Sequence, residues 1–442
     1  MKEKKEQLTT AGYKGTRDFY PDQMRIRNYM FNVMRSVVES YGYEEYDGPM
    51  IESLDLYRAK TGDEIVGKQI YDFIDKGGRE VAIRPEMTPT LARMVAGKLR
   101  ELPRPIRWFS FPNLWRYEQP GHGRLREHWQ LNVDIFGVDS NSAELEILKL
   151  ACDILTAFGA NKSMFQVKIS HRKILDGFFQ GMNLDPSKAQ EVSKILDKKN
   201  KITHDEYLAE IKKTIPNLPD ADKSIDAFLN SSLVTLEQIP GISSELIDEI
   251  KGFFAKIDKI GLGDIVQFDP SIIRGFDYYT GYIFEIYDSS PKNKRSLYGG
   301  GRYDNLIGLF TNEAVSGTGF GLGDVTLQNF LETHDLLPLL GREDIICIPI
   351  LSEEITAEIF LMADEIRKSG LKCEMFLNPD QKFGKQISLA EKKGFKHILI
   401  CGPDELTKGI ISLKNLELRT QIEIPRSELV IRLLQEFNGK TI

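Results

Sequence analysis

Residues 111–137 read FPNLWRYEQPGHGRLREHWQLNVDIFG and predict two β-strands joined by a charged loop that contains glycine. Large apolar residues mark the two arms as strands: Phe109, Phe111 and Trp115 for the first, and Trp129, Leu131, Val133 and Ile135 for the second. Charged or amide side chains on or near the arms include Arg116, Glu118, Arg124, Arg126, Gln130 and Asp134. Because side chains alternate between the faces of a strand, polar residues two positions apart share a face. Spacing alone favours an amphipathic hairpin with one solvated face.

The chain of 442 residues is too long for a single hydrophobic core, so two or three domains are expected. A hydrophobic share of 41% and a charged share of 28% are those of an ordinary soluble globular protein. The net charge of −7 argues against a surface coated in basic charge, although it permits a local basic patch.

The cysteines lie far apart and within apolar runs, at Cys152, Cys347, Cys373 and Cys401. Without a CxxC pair or a His/Cys cluster, neither a bound structural metal nor a disulfide framework is expected. The charged N-terminus has no apolar stretch behind it, and no apolar run approaches the roughly 20 residues that cross a bilayer. We expect a cytoplasmic protein with no membrane partner.

Helices and strands alternate through the first 170 residues. The periodicity predicts helices over Asp22–Tyr41, Pro89–Leu99 and Asn141–Phe158, and strands over Tyr43–Pro49, Val81–Pro85 and Phe165–Ser170. Asn141 and Glu144 have the spacing of a helix-capping pair. From about Leu175 to Asp258 the pattern becomes lysine-rich and helical, which favours an inserted helical module over a helical part of the main core.

A second group of motifs follows the helical stretch. Residues 272–287 place Arg274 and Asp277 among aromatic residues, and residues 297–306 place three glycines before Arg302 and Tyr303. A glycine triplet permits close backbone approach to a ligand, although a bulge or tight turn uses the same property. The alternating glycines of Gly317–Leu327 predict a strand packed closely on a neighbour and running into a helix.

The last hundred residues have a clear βαβαβ pattern. Strands are predicted over Ile345–Ile350, Cys373–Leu377, His397–Cys401 and Gln421–Ile424, with helices over Glu353–Ser369 and Lys382–Lys393 and a terminal helix from Ser427. Five lysines crowd one helix and its end, at Lys382, Lys385, Lys392, Lys393 and Lys396. This lysine cluster is either a solvated face or a surface that contacts phosphates.

Arginines on strand-like segments are the unusual feature of this sequence: Arg84, Arg116, Arg124, Arg274 and Arg302. With them occur acidic residues and tyrosines, namely Glu86, Glu118, Asp134, Asp277, Tyr278, Tyr279 and Tyr303. The arginine fork binds phosphate or carboxylate through two hydrogen bonds and keeps its charge. Arginines that converge on one sheet face would suit a polyanionic substrate whose transition state gathers negative charge.

Five motifs occur in order: GTRDFYP at 15–21, RPEMT at 84–88, the two arms of 111–137, IIRGFDYYTGYIFE at 272–285 and GGGRYDNL at 299–306. With these motifs the chain resembles the histidyl-tRNA synthetases, which are class II aminoacyl-tRNA synthetases. Two of the motifs distinguish the histidine enzymes from their relatives. Because the resemblance extends to the C-terminal βαβ region, it spans nearly the whole chain.

The resemblance implies an α+β catalytic domain on a six- or seven-stranded antiparallel sheet, with a helical insertion and a C-terminal α/β domain that binds the anticodon. The implied boundaries are residues 1–174 and 259–337 for the catalytic domain, 175–258 for the insertion and 343–442 for the C-terminal domain. Residues 42–52 correspond to class II motif 1, which usually forms the interface of a homodimer.

The implied reaction joins L-histidine to tRNA(His) through histidyl-adenylate, with ATP as co-substrate and Mg²⁺ on its phosphates. Arg116 and Arg274 match the catalytic arginines on either side of the α-phosphate. Glu118, Arg124 and His128, together with Arg116, match the ATP-binding positions. The positions that hold histidine are Glu86, Thr88, Gln130, Asp134, Tyr278, Tyr279 and Tyr303. A pocket with fixed partners for both imidazole nitrogens rejects analogues that lack either one.

Two residues depart from the family pattern. Thr326 stands where class II motif 3 usually carries an arginine over the ATP γ-phosphate, which leaves that charge to other arginines or to magnesium. His128 stands where a phenylalanine usually stacks on adenine, and its imidazole is expected to titrate near neutrality.

A relative that kept the fold and lost the chemistry is the alternative interpretation. The regulatory subunit of the histidine-biosynthetic ATP phosphoribosyltransferase is such a binding module, and Thr326 favours it. Arg116, Gln130 and Arg274 together with the C-terminal domain, which that paralogue typically lacks, favour the synthetase.

Overall fold

The computed structural model describes residues 8–59, 67–199, 202–218, 220–272, 279–342 and 344–438. The chain divides into two compact units, Met1–Leu337 and Pro338–Ile442, which are treated separately. Two predicted site residues, Arg274 and Tyr278, lie outside the described residues, as does Asp277.

The first unit is built on short strands and one long one. Its strands are β1 Glu44–Glu45, β2 Ile51–Ser53, β3 Tyr71–Ile74, β4 Glu80–Ile83, β5 Ile106–Ser110, β6 Asn113–Trp115, β7 Glu127–Phe136, β8 Phe165–His171, β9 Val266–Phe268, β10 Tyr282–Asp288, β11 Ser296–Arg302 and β12 Gly317–Gly323. Its helices include α1 Pro21–Ser40, α2 Leu54–Arg58, α3 Thr88–Gly97, α4 Ser142–Ala157, α5 Arg172–Gly181, α6 Pro186–Lys198, α7 His204–Thr214, α8 Ala221–Leu229, α9 Ser244–Lys259 and α10 Asp324–Thr333.

The main sheet has a six-stranded antiparallel centre in the order β5-β7-β12-β11-β10-β8. The short strands β1 and β9 extend its edges by parallel pairing. Strand β6 pairs with the outer part of β7. The expected antiparallel sheet is therefore confirmed, as the centre of a larger mixed sheet.

Apolar residues of α1 and α4 cover one face of this sheet. Met30, Met34 and Val38 recur along α1 at helical spacing, and all three are fully buried. The same apolar core continues into the helices of residues 172–259, where Phe178 stacks on Phe228 with ring centroids 4.3 Å apart. Helical structure through this segment was predicted, whereas its status as a separate inserted domain stays a prediction.

Three local predictions were wrong. The first arm of the hairpin is two strands, β5 and β6, because Pro112 lies between them and has no N–H with which to continue the ladder. Arg116 and Glu118 consequently follow β6 in the loop and are not on a strand. The strand predicted over 43–49 is only the two residues of β1. Asn141 makes no side-chain cap for α4, because its Oδ1 accepts from Lys256 Nζ at 2.8 Å and Glu144 is paired with Arg302.

The second unit is a five-stranded mixed sheet in the order β14-β13-β15-β16-β17, with the first three strands parallel. Its elements are β13 Ile345–Pro349, α11 Thr356–Lys368, β14 Lys372–Phe376, α12 Phe383–Lys392, β15 His397–Ile400, α13 Pro403–Lys408, β16 Ile410–Asn415, β17 Thr420–Pro425 and α14 Leu429–Asn438. The α/β pattern predicted from the sequence is confirmed, although α13 and β16 were not predicted. Among the helices described in either unit, none is long and apolar enough to cross a membrane.

Candidate active site

A cavity opens on the face of the main sheet opposite the α1–α4 core, over the neighbouring strands β7, β12 and β11. Its lining residues are Glu86, Thr88, Arg116, Gln130, Asn132, Asp134, Tyr279, Gly299, Tyr303, Gly319, Phe320 and Gly321. Seven of them were predicted from the sequence as site residues. The structure thus brings together side chains from segments more than two hundred residues apart in the chain.

Glycines of β12 make room for the polar side chains of β7. Gly319 lies opposite Asp134 in the antiparallel ladder. A Cβ atom added at Gly319 would lie well inside van der Waals contact with the Asp134 carboxylate and the Val133 carbonyl. A Cβ atom at Gly321 would come within 2.7 Å of Gln130 Nε2. The alternating glycines therefore form the floor of the cavity.

Arg116 is held beside the cavity by two hydrogen bonds to backbone carbonyls, one from its backbone N–H and one from its side chain. Its backbone N–H donates to the carbonyl of Arg126 at 2.8 Å, which ties the start of the loop to its end. Its Nε donates to the carbonyl of Pro85 at 2.9 Å, and Pro85 directly precedes the buried Glu86. Arg116 and Glu86 both line the cavity, so the cavity holds a permanent positive charge and a buried carboxylate.

Asp134 is a buried carboxyl group at the inner end of the cavity. Tyr303, which is also buried, donates its hydroxyl proton to Asp134 Oδ1. Burial raises the pKa of Asp134 to about 7, and the hydrogen bond from Tyr303 lowers it by a smaller amount. The pKa of Tyr303 is raised, chiefly by burial and then by the neighbouring Asp134. Asp134 therefore changes charge close to physiological pH.

Glu118 and Arg124 form an ion pair at the outer end of the same loop. The Glu118 carboxylate is almost fully buried, whereas about half of the Arg124 side chain is exposed. Neither residue lines the cavity, so the structure places this predicted nucleotide pair next to the cavity and not within it.

His128 lies on β7 two residues before Gln130, and the alternation of the strand puts both on the cavity side. Burial lowers the pKa of His128 to about 3, and the positive charges of Arg116 and Arg17 act in the same direction. The expectation that His128 titrates near neutrality was therefore wrong. Its imidazole is neutral at physiological pH and can stack on an aromatic base without an added charge.

Two of the predicted arginines serve the fold and not the cavity. Arg84 is buried and donates to the carbonyls of Gly48 at 2.7 Å and Asn113 at 3.0 Å. Arg302 is buried in an ion pair with Glu144, whose Oε2 lies 2.8 Å from its Nη2. The prediction that strand arginines converge on one site was therefore wrong for Arg84 and Arg302. Backbone carbonyls bind the first, and the carboxylate of Glu144 binds the second.

The N-terminus of α10 lies beside the β6–β7 loop. Asp324 accepts from Arg17 at 2.7 Å and from the backbone N–H of Trp129 at 3.0 Å. Burial raises the pKa of Asp324 against the opposing effect of Arg17. Thr326, at the expected arginine position, donates its hydroxyl to the carbonyl of Leu297 at 2.7 Å.

Asn132 and the glycine floor were not predicted as site residues. Asn132 could have been found, because it alternates with Gln130 and Asp134 on the same strand. Gly319 and Gly321 were interpreted only as close strand packing, since the sequence does not show which side chains lie opposite them. Groups of three His, Cys, Asp or Glu side chains able to hold a metal ion do not occur in the part of the chain that the structure describes.

The lysine cluster of the second unit divides into two classes. Lys393 binds Glu374 at 2.7 Å and Lys396 binds Glu417 at 3.1 Å, so these charges are used within the unit. Lys385 and Lys392 are exposed on α12, and Lys382 is exposed directly before it.

A histidyl-tRNA synthetase family model matches residues 15–325, and an anticodon-binding-domain model matches residues 344–436. The histidine--tRNA ligase of Leptospira biflexa serovar Patoc is 64% identical over 436 residues, which cover 98% of this chain and 100% of that protein. The histidine--tRNA ligase of Opitutus terrae is 36% identical over 94% of this chain and 96% of its own length.

A crystal structure of histidyl-tRNA synthetase from Nostoc sp. PCC 7120 has the same fold. It aligns with a TM-score of 0.80 at 24% identity and covers 97% of this chain and 100% of its own. The cavity, the order of its motifs and the full-length match to curated relatives lead to one assignment. The chain belongs to the histidyl-tRNA synthetase family.

Proposed function

We propose that this chain attaches L-histidine to tRNA(His) in two steps. In the first step the carboxylate of histidine attacks the α-phosphorus of ATP, which gives histidyl-adenylate and releases pyrophosphate. In the second step a hydroxyl of the 3′-terminal adenosine attacks the acyl carbon, which releases AMP. Relatives with up to 64% identity over the whole chain are histidine--tRNA ligases, which supports this reaction. The alternative of a regulatory subunit is not favoured.

The observation that carries the proposal is the position of Arg116 in the same cavity as Gln130 and Asp134. The two reacting groups, a carboxylate and a phosphate, are both anionic and must approach within bonding distance. We assign to Arg116 the bridge between them, because its fork can bind both anions and keeps its charge. Arg274 is assigned to the opposite side of the α-phosphate on the strength of its motif alone.

The polar inner end of the cavity suits the imidazole and the amino group of histidine. Tyr303 already occupies one oxygen of Asp134, so we assign the other oxygen to an imidazole N–H. Tyr279 lines the same cavity and, with Tyr278, is assigned to the imidazole. Glu86, Thr88 and Gln130 are assigned to the amino group and the backbone of the substrate.

The ATP side of the site lies toward the β6–β7 loop. Glu118 is assigned to the adenine amino group, Arg124 to the triphosphate and His128 to stacking on the base. The neutral His128 imidazole supports that last role. Magnesium is proposed to enter with ATP and to be held mainly by phosphate oxygens and water, because no cluster of ligating side chains is present in the described ranges.

We also propose that the chain forms a homodimer and acts in the cytoplasm. Residues 343–442 are proposed to bind the tRNA anticodon, and residues 175–258 are proposed to be an insertion that divides the catalytic domain. An apolar surface on the small β2-β4-β3 sheet supports the dimer. Ile51 and Phe73, which fall on one face of that sheet by strand alternation, are 47% and 44% exposed. Exposed apolar side chains on one sheet face are typical of a surface that pairs with another chain.

Histidine-dependent ATP–pyrophosphate exchange tests the first step. Wild-type protein should catalyse the exchange, and Arg116→Ala and Arg274→Ala should each lower its rate by about 100-fold or more, because they remove charge stabilisation of the transition state. Arg100→Ala, which changes an exposed arginine, should leave the rate unchanged. Wild-type protein that binds histidine and gives no exchange would instead favour the regulatory subunit.

A further inference from the structure

The tip of the β6–β7 loop is a closed turn that presents one histidine. Gly121 and Arg124 exchange two backbone hydrogen bonds, with N···O distances of 2.9 and 3.0 Å. Gly123 takes a φ of 72°, a backbone conformation that favours glycine. His122 is therefore held at the apex of the turn, two residues before Arg124.

His122 binds a buried polar group that belongs to another part of the sheet. Its Nε2 lies 2.9 Å from Oδ1 of Asn293, in the connection between β10 and β11. Asn293 is buried, and its Nδ2 donates to Oδ2 of Asp288 at 2.7 Å. His334, at the end of α10, binds the other oxygen of Asp288 at 2.7 Å. The chain of contacts runs from the loop tip to the end of α10.

The direction of the hydrogen bonds follows from Asp288. A carboxylate accepts, so the Asn293 amide nitrogen must donate to it and the amide oxygen must accept from His122. His122 therefore carries its proton on Nε2 in this arrangement. Since Asn293 is fixed by its own buried partner, it offers the loop a defined attachment point.

The loop tip also lies against α10 itself. A Cβ atom added at Gly123 would be 3.7 Å from Thr326 Cγ2 and 3.9 Å from Asn329 Nδ2, which is ordinary contact. Thr326 is the residue found where the resemblance leads one to expect an arginine. The short side chain of Thr326 leaves space for the loop tip against α10. A long arginine side chain at position 326 would fill that space.

We propose that His122 is a positioning residue for the ATP site. By binding Asn293, whose Nδ2 also lies 3.1 Å from Thr333 Oγ1 at the end of α10, it fixes the loop tip beside α10. The attachment thereby holds Arg124 at the side of the cavity assigned to ATP. This inference rests on the proposed function, because the role of Arg124 toward ATP is part of it. The loop attachment would thereby place the positive charge of Arg124 near the ATP triphosphate, a charge that Thr326 does not supply.

The test compares His122→Ala with wild-type protein by the equilibrium Kd for ATP and by the separate KM values for ATP and histidine in pyrophosphate exchange. We expect His122→Ala to weaken ATP binding and raise the ATP KM about 5- to 20-fold, as for the loss of one well-placed hydrogen bond, and to leave the histidine KM within about twofold. His122→Gln, whose amide N–H can also donate to Asn293, should restore most of the loss. His204→Ala, at the exposed first residue of α7, is the matched control and should change neither KM.

Arg124→Ala completes the experiment. If His122 acts by placing Arg124, then His122→Ala should add little to the ATP KM of Arg124→Ala. An unchanged ATP Kd in His122→Ala, an equal rise in both KM values, or full additivity with Arg124→Ala would each overturn the inference. Protein that shows the His122 effect on the ATP Kd and gives no exchange would overturn the proposed ligase reaction and would support the role of His122 in ATP binding.

Discussion

Arg124 is ion-paired with Glu118 within the β6–β7 loop. The two residues are assigned to different parts of ATP, the triphosphate and the adenine. Glu118 cannot make its full contact with adenine, nor Arg124 with the triphosphate, while the two side chains bind each other. ATP binding is therefore expected to exchange this internal ion pair for two contacts with the nucleotide.

Glu118→Gln tests the adenine half of this exchange. The substitution keeps the shape of the side chain and removes the charge that accepts strongly from an amino group. We expect the ATP KM in pyrophosphate exchange to rise about tenfold. Glu80→Gln removes a carboxylate from an exposed ion pair with Arg58 and should have no such effect. An unchanged ATP KM in Glu118→Gln would refute the assignment of Glu118 to adenine.

Gly319→Ala tests the glycine floor of the cavity. The added methyl group would meet the Asp134 carboxylate and the Val133 carbonyl, and a packed site relieves such a clash by shifting the side chain. We expect the histidine KM to rise more than about tenfold, with a loss of about 1–3 kcal/mol in the free energy of unfolding. Gly308→Ala adds its methyl group to open space and should leave both quantities unchanged. Histidine binding that survives Gly319→Ala intact would show that the floor does not shape the pocket.

The raised pKa of Asp134 predicts a pH-dependent stability. Its value of about 7 in the folded chain exceeds the ordinary 3.8, so the folded state binds more protons than the unfolded state between these values. The free energy of unfolding therefore falls as pH rises from about 4 to about 7, because ionising the buried carboxyl is unfavourable in the folded state. At about 1.4 kcal/mol for each pKa unit, the total loss is up to about 4 kcal/mol.

Asp134→Asn removes this titration. The thermal unfolding temperature of the variant should exceed that of wild-type protein at pH 8, and the difference should shrink as pH falls toward 4. Histidine binding should be lost at the same time, because the amide no longer offers the carboxylate. Asp248→Asn, an exposed change on α9, serves as the control. A difference in unfolding temperature that does not vary with pH would contradict the raised pKa.

The exposed lysines of α12 predict a defect confined to tRNA. Replacing Lys382, Lys385 and Lys392 together by glutamine should weaken tRNA binding and flatten its dependence on salt, because fewer counterions are released on binding. Pyrophosphate exchange should be unchanged. The same replacement at three other exposed lysines of this unit, Lys368, Lys372 and Lys408, is the control. Exchange that falls as much as tRNA charging would show that the unit does not bind the anticodon.

The sequence could predict the elements whose signal is local. The helix at 21–40 and the βαβ pattern of the second unit repeat apolar residues at a fixed period over many positions, so their outlines were correct. The strand at 113–115 has only three residues, and its separation from β5 depends on a single proline. Whether such a short strand forms depends on its pairing with β7. The sequence of the first arm alone does not show that pairing.

The site was predictable as a set of residues and not as a geometry. Gln130 and Asp134 share a cavity with Glu86 and Arg116, as the motifs indicated. Arg302 has the same local setting as a ligand-binding arginine, yet its partner Glu144 lies 158 positions away in the chain. Burial by distant segments also decides the pKa of His128, which its neighbours in sequence do not reveal.

The proposed product of this chain is histidyl-tRNA, and the charging reaction measures that product. Purified wild-type protein is incubated with ATP, magnesium, labelled histidine and a tRNA(His) transcript, and the label bound to tRNA is measured with the AMP formed. We expect close to one histidine for each tRNA, one AMP for each histidine attached, and no charging of an unrelated transcript. Protein that binds histidine and ATP but leaves the tRNA unlabelled would contradict it.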